Sequence, residues 1–263
     1  MLKFNANLSW LFTEIDFMNR FERAAKAGFK GVEFRSPYEW NADAILEKLN
    51  RYGLELVLYN LPAGNWAVGE RGIACRPDRM GEFQHGVGLA IQYAKILKCH
   101  RVNCLAGMSP KGVLPEKARQ TFIDNLKFAV TALEKECISL LIEPLNGTDM
   151  PEAYLTHTNQ GLEIIREVNH LNIRLQYDIY HMQIMEGNLT QTIKNSLSTI
   201  GHIQVADNPG RHEPGTGEIN FDNLFRFLEE ADYAGWVGCE YKPARTTESS
   251  LDWFKNYIQK AGL

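Results

Sequence analysis

The 263-residue chain has no apolar run of the roughly 18 residues that a membrane-spanning helix needs. Its first ten residues, Met1 to Trp10, hold no continuous apolar segment and read as mature protein rather than as a signal peptide. CxxC pairs are missing too. The five cysteines are odd in number and scattered, so buried, reduced thiols in a cytoplasmic protein are expected. The three Asn-X-Ser/Thr triplets then carry no glycosylation meaning. Positive charge is not in excess: Lys+Arg 28 against Asp+Glu 32 leaves a net −4, which speaks against a phosphate-binding surface and against a nucleic-acid partner. No GxGxxG follows a β-like run, and Walker A, GxSxG and HExxH patterns do not occur. Hydride transfer to a nicotinamide and serine hydrolysis therefore have no support. No linker rich in Pro, Gly or Ser divides the chain, so residues 1–263 read as a single domain.

With 44% hydrophobic residues and little net charge, the chain can bury a large core without staples. Short β-rich runs lie at 3–7, 31–35, 55–60, 101–106, 139–144, 174–178, 202–207 and 236–241. Between them come amphipathic stretches such as 16–27, 42–52, 81–97, 115–135 and 220–231, with apolar residues spaced i, i+3, i+4. Eight β runs give about 33 residues per unit, the spacing of βα repeats on a parallel sheet. Eight such units predict an α/β fold, a closed (β/α)8 TIM barrel. Loop lengths agree. Helix-to-strand links are short, whereas the strand-to-helix links 61–80, 107–114, 145–157 and 208–219 are long and would gather on the C-terminal face, where such barrels bind and react. The 61–80 loop carries Gly64, Gly69 and Gly72 and reads as a lid.

Parallel strands buried on both faces should be apolar throughout. Four consecutive runs break that rule near their ends, at Glu143, Asp178, Gln204 and Glu240. The two-residue period of a strand lets all four converge at the C-terminal mouth. Three carboxylates pressed together need a cation, and an all-oxygen ligand set suits Mg²⁺ or Mn²⁺ better than Zn²⁺. His181, just past the sixth run, would reach a substrate at that ion. Arg211 offers a planar fork for a carboxylate. Gly215-x-Gly217 is too weak a pattern to be a phosphate loop. Asn5, Asn7, Glu33, Asn60 and Asn103 would line the same mouth, with Glu33 and Arg35 alternatively an internal ion pair.

Four stretches carry a family resemblance. They are Asn60-Leu-Pro-Ala-Gly-Asn-Trp-Ala-Val-Gly-Glu-Arg-Gly-Ile-Ala-Cys75, Gln176-Tyr-Asp-Ile-Tyr-His-Met-Gln183, Ala206-Asp-Asn-Pro-Gly-Arg-His-Glu-Pro-Gly-Thr-Gly-Glu-Ile-Asn220 and Gly235-Trp-Val-Gly-Cys-Glu-Tyr-Lys-Pro243. The chain resembles the hydroxypyruvate isomerase family of xylose-isomerase-like barrels, whose near relatives include 2-oxo-tetronate isomerases. The resemblance implies a metal-dependent isomerase of a short hydroxy-oxo acid, a small-molecule substrate, and Glu143, Asp178, Gln204 and Glu240 as ligands. It casts Glu143 and Glu240 as the proton donor and acceptor, and places His181 and Arg211 at the substrate. Arg35 departs from the pattern, where family members tend to carry an apolar residue. The reaction implied converts hydroxypyruvate to 2-hydroxy-3-oxopropanoate. The alternatives are isomerisation of 2-oxo-tetronate and, more distantly, 3-epimerisation of a keto-sugar. A nuclease of the apurinic-site type, usually rich in zinc-binding His, fits poorly with 7 His and a net −4. Barrels of this kind often pair through exposed helices or loops, which leaves a homo-oligomer open.

Overall fold

A computed structural model describes residues 1–255. Eight strands run in chain order: β1 (Lys3–Asn7), β2 (Gly31–Glu33), β3 (Glu55–Asn60), β4 (Arg101–Cys104), β5 (Ser139–Ile142), β6 (Ile173–Asp178), β7 (Ile200–Val205) and β8 (Trp236–Cys239). Each pairs in parallel with its neighbour, and β8 returns to β1, closing the expected barrel. The outer ring consists of α1 (Phe17–Lys26), α2 (Ala42–Tyr52), α3 (Met80–Leu97), α4 (Pro115–Glu134), α5 (Thr158–Val168), α6 (Ile179–Met185), α7 (Leu189–Ser196) and α8 (Phe221–Glu230). No described helix is long and apolar enough to cross a membrane.

Local sequence explains these elements. α2 starts where the Asn41 side chain accepts hydrogen bonds from the Asp43 and Ala44 amides, satisfying donors that a helix start leaves open. α8 buries Phe221, Leu224, Phe225 and Leu228, one stripe at i, i+3, i+4, i+7. Each such side chain contributes about 1.5–3 kcal/mol when buried. Inside the barrel, toward the strand starts, Val57, Leu58, Leu141 and Trp236 form a small apolar plug. Above it the lining turns polar: Asn5, Glu33, Gln176, His202 and Gln204 are all buried.

Several strands stop short of the runs read from sequence. β2, β4, β5 and β8 end at Glu33, Cys104, Ile142 and Cys239. The chain leaves the ladder there to serve the rim. Glu240 N divides its hydrogen bond between Val205 O and Gly238 O. Ala106 bridges instead to Gly72 of the long 61–80 loop, and Cys75 N donates to Ala106 O (2.9 Å). Gly72 has φ +109°, and a Cβ on it would lie 2.1 Å from Leu105 O, so only glycine fits this junction. The junction buries Ile73, Ala74 and Cys75, and the loop's tip, with Trp66, stands at the mouth.

Candidate active site

The polar layer is organised by Glu33, a carboxylate only 1% exposed. Its Oε2 accepts from Asn5 Nδ2 (2.7 Å) and faces His202 Nε2 (2.7 Å). Its Oε1 accepts from Asn7 Nδ2 (3.0 Å) and Gln204 Nε2 (2.7 Å). Burial disfavours this charge, but His202 and the hydrogen bonds outweigh burial and hold the carboxyl below the usual carboxylate range. The internal ion pair between Glu33 and Arg35 does not form. β8 makes room for Glu33 by carrying Gly238, where a Cβ would fall 2.5 and 2.6 Å from its two oxygens.

One step above, the expected residues gather. Glu143, just past β5, accepts from Asn103 Nδ2 (2.8 Å). Asp178 ends β6 and caps α6, its Oδ1 accepting from the Tyr180 and His181 amides (2.8 and 3.2 Å). Glu240, past β8, accepts from Asn7 Nδ2 (3.0 Å) and from Arg211 Nη2 (2.6 Å). Asp178 and Gln204 are register partners on β6 and β7, and Gln204 Oε1 accepts from Gln176 Nε2 (2.6 Å). Glu143, Gln204 and Glu240 line one cavity of about 20 Å³. Donor atoms of Glu143, Asp178 and His181 lie within 4.8 Å of one another, close enough to share an ion.

Burial, then the neighbouring Glu240 and Asp178, raise the Glu143 carboxyl well above its ordinary value. Burial also raises Glu240, to about 8, although Arg211 works in the opposite direction. Acids so placed are stabilised by a cation, and these residues fit a hard divalent ion.

His181 is fully buried, and burial lowers it to about 4, so it is neutral. Its Nδ1 faces two donors of Asn146, the backbone N–H (3.3 Å) and Nδ2 (2.7 Å). Nδ1 is therefore the accepting nitrogen and Nε2 carries the proton, 3.5 Å from Asp178 Oδ2. In this tautomer His181 donates a hydrogen bond rather than an electron pair.

Arg211 sits on the 208–219 loop with φ +56°. The fork expected for a ligand carboxylate grips two protein carboxylates, Glu240 (2.6 Å) and Asp178 (3.3 Å). The guanidinium lies over Trp10 (4.6 Å) and Tyr180 (5.0 Å), and its Nε is buried without a partner. Asp207, whose role the sequence did not reveal, shapes this loop by accepting from the amides of Gly215 (2.9 Å), Gly217 (2.8 Å) and Ile219 (3.1 Å). The two glycines thus direct their N–H groups at an internal carboxylate, not at a phosphate. Asn146, Trp10, Trp66 and Arg71 were likewise missed. The last three line a cavity of about 60 Å³ together with Arg35, Glu143, His181, Arg211 and Glu240.

A family model described as a xylose isomerase-like TIM barrel matches residues 21–257. The hydroxypyruvate isomerase of Escherichia coli is 53% identical over 257 residues, covering 98% of this chain and 100% of that protein. The 2-oxo-tetronate isomerase of Pectobacterium atrosepticum is 42% identical over 260 residues, covering 99% of each. A solved structure described as an AP endonuclease, family 2, from Brucella melitensis superposes with a TM-score of 0.96 at 43% identity, covering 98% of this chain and 99% of that one. Matched along nearly its whole length by named isomerases, the chain belongs to the xylose isomerase-like TIM barrel family, among its hydroxypyruvate and 2-oxo-tetronate isomerases, and is itself an isomerase.

Proposed function

We propose that the chain is a divalent-metal-dependent isomerase of a short hydroxy-oxo acid, interconverting hydroxypyruvate and 2-hydroxy-3-oxopropanoate by proton transfer between two glutamates. The observation that carries this reading is the pair Glu143, buried, and Glu240, largely buried, two carboxyls with raised affinity for protons that face the same cavities. A carboxyl held above its ordinary range is a stronger base than one in water and can take a proton from carbon and return it. The four-carbon 2-oxo-tetronate reaction is the second reading, favoured by relatives of that activity at 40–42% identity.

Glu143, Asp178, Gln204 and Glu240 would hold the ion, Mg²⁺ or Mn²⁺, with His181 left to the substrate because its Nε2 is protonated. When bound, the ion supplies a Lewis acid that acidifies the C–H beside the carbonyl. One glutamate removes that proton and the other returns one to the neighbouring carbon, while the hydroxyl proton passes to the former carbonyl oxygen. His181 Nε2–H and the unpartnered Arg211 Nε–H supply donors for oxygens on which charge develops. Asn103 and Asn7 orient the two glutamates through their amide donors. The five free thiols, four of them buried, support a cytoplasmic protein. The net charge of −4 supports a small-molecule partner over nucleic acid, despite the likeness to the Brucella structure.

The test is proton NMR in D₂O on metal-stripped protein, given hydroxypyruvate or 2-oxo-tetronate with Mg²⁺ or Mn²⁺ restored. Conversion with deuterium at the new C–H supports proton transfer and identifies the substrate. Conversion without deuterium refutes exchange through the glutamates, and no conversion of either acid refutes the substrate class.

A further inference from the structure

A hydroxy-oxo acid brings a carboxylate to the mouth, and Arg211 is already committed to Glu240 and Asp178. We propose that Arg35 and Arg71, packed on the indole of Trp66, form a carboxylate-binding subsite in this cavity that selects acids over neutral sugars. The subsite rests on the isomerase reading above and assigns residues that reading left without a role.

Both guanidiniums lie over the Trp66 ring, with their central carbons 4.4 Å (Arg35) and 3.8 Å (Arg71) from its centroid. Both line the cavity that holds Glu143, His181 and Glu240. Arg35 stands just past β2 and Arg71 on the 61–80 loop, so the subsite is assembled from two elements. Among the described residues neither has an ion-pair partner within 4.0 Å. The acid next to Arg71, Glu70, is turned away to pair with Arg79 and to cap the Asn65 amide. Arg71 Nη1 donates to Trp66 O (3.2 Å) and Glu70 O (2.8 Å), which fixes the guanidinium's orientation but leaves other N–H donors free. Burial is the main cause that lowers the proton affinity of both; Arg35 adds to it at Arg71 and Arg211 at Arg35, where Glu240 and Glu39 work in the opposite direction. An anion bound in the cavity that both line offsets that cost, and a planar carboxylate matches the guanidinium fork. The indole stiffens both side chains, so little rotamer freedom is lost on binding.

The experiment measures binding without turnover. Metal-stripped wild-type, Arg35→Gln, Arg71→Gln and Arg35→Lys proteins are titrated calorimetrically with D-glycerate, with glycerol as the neutral control and inorganic phosphate as the competing anion. Glycerate should bind the wild type and lose about 10- to 100-fold in affinity in either Gln variant, the scale for losing a charged hydrogen bond. Arg35→Lys should recover only part of the loss, because it restores charge without the fork. In the metal-loaded enzyme, KM for the acid should rise by a similar factor with a much smaller change in kcat. Glycerate binding unchanged in both Gln variants overturns the subsite, even where hydroxypyruvate is isomerised normally. Arg-dependent glycerate binding supports it, even where neither hydroxypyruvate nor 2-oxo-tetronate is turned over. Phosphate binding more tightly than glycerate overturns the carboxylate assignment.

Discussion

Replacing Glu33 by Gln should cost the protein both stability and metal affinity, although Glu33 is not among the expected ligands. The carboxylate has four partners, two on each oxygen, at 2.7 to 3.0 Å. An amide keeps the shape but turns one oxygen into a donor. The new N–H groups would then either face those of Asn7 and Gln204 or force the Asn5 amide and the His202 ring to present acceptors in place of donors, in a site closed to water. Breaking a buried charged network of this kind costs about 3–5 kcal/mol. For a chain of this size that lowers Tm by about 10 °C, at roughly 2–4 °C per kcal/mol. Gln204 would lose the charged acceptor that anchors it, so metal affinity should fall about 10- to 100-fold, as for other partners that orient a ligand. The folded Glu33 carboxyl lies below its ordinary range, so its contribution is present above the unfolded value and is lost as pH falls through the folded one. Stability of Glu33→Gln should accordingly fall less steeply on the acid side. Denaturant melts between pH 3 and 7 and metal titration of the stripped protein measure both effects. A variant within about 1 kcal/mol of wild type, with unchanged metal affinity, would refute the reasoning. The Gly238→Ala substitution should be severe alone and milder in a Glu33→Ala background, because its Cβ collides with the Glu33 oxygens.

Glu143→Gln and Glu240→Gln should each lower turnover by about 10²- to 10⁴-fold while circular dichroism and cooperative melting stay intact; near-wild-type rates from either would exclude a two-glutamate mechanism. Because Glu240 titrates near 8 and Glu143 is raised as well, the stripped enzyme holds protons at pH 7 that metal must displace. Calorimetry in buffers of different ionisation enthalpy should show proton release on metal binding at pH 7 and less at pH 9. Gly72→Ala places a Cβ 2.1 Å from Leu105 O at a left-handed φ, so the 61–80 loop should come free of Ala106 and be cut faster by proteases at its tip; unchanged cleavage would show that the junction does not hold the loop.

Which parts of the site were legible in the sequence follows from where each residue sits. Glu143, Asp178, Gln204 and Glu240 lie near or just past the ends of mostly apolar strands, and a polar residue in a run that should be apolar stands out. The barrel itself was legible from the alternation: eight β-rich runs separated by amphipathic stretches admit few other folds. Glu33 broke the pattern as plainly, yet its partners on β1 and β7 lie up to 171 residues away, so its role as the hub of the polar layer could not be read locally. Arg211 shows how residue type alone misleads. A fork on a loop suggests a ligand's carboxylate, but acids 29 and 33 residues away occupy it. Trp66 and Arg71 had no pattern to break, because an irregular loop has no period. What could have found them is charge: with Arg211 neutralised by the protein's own acids, an enzyme for anionic substrates still needs a cation facing its cavity, and Arg35, the residue that departs from the family, marks where to look. The Arg35→Gln titration with glycerate therefore tests more than one subsite, since it asks whether an unpaired cation in the mouth of a barrel predicts the charge of its substrate.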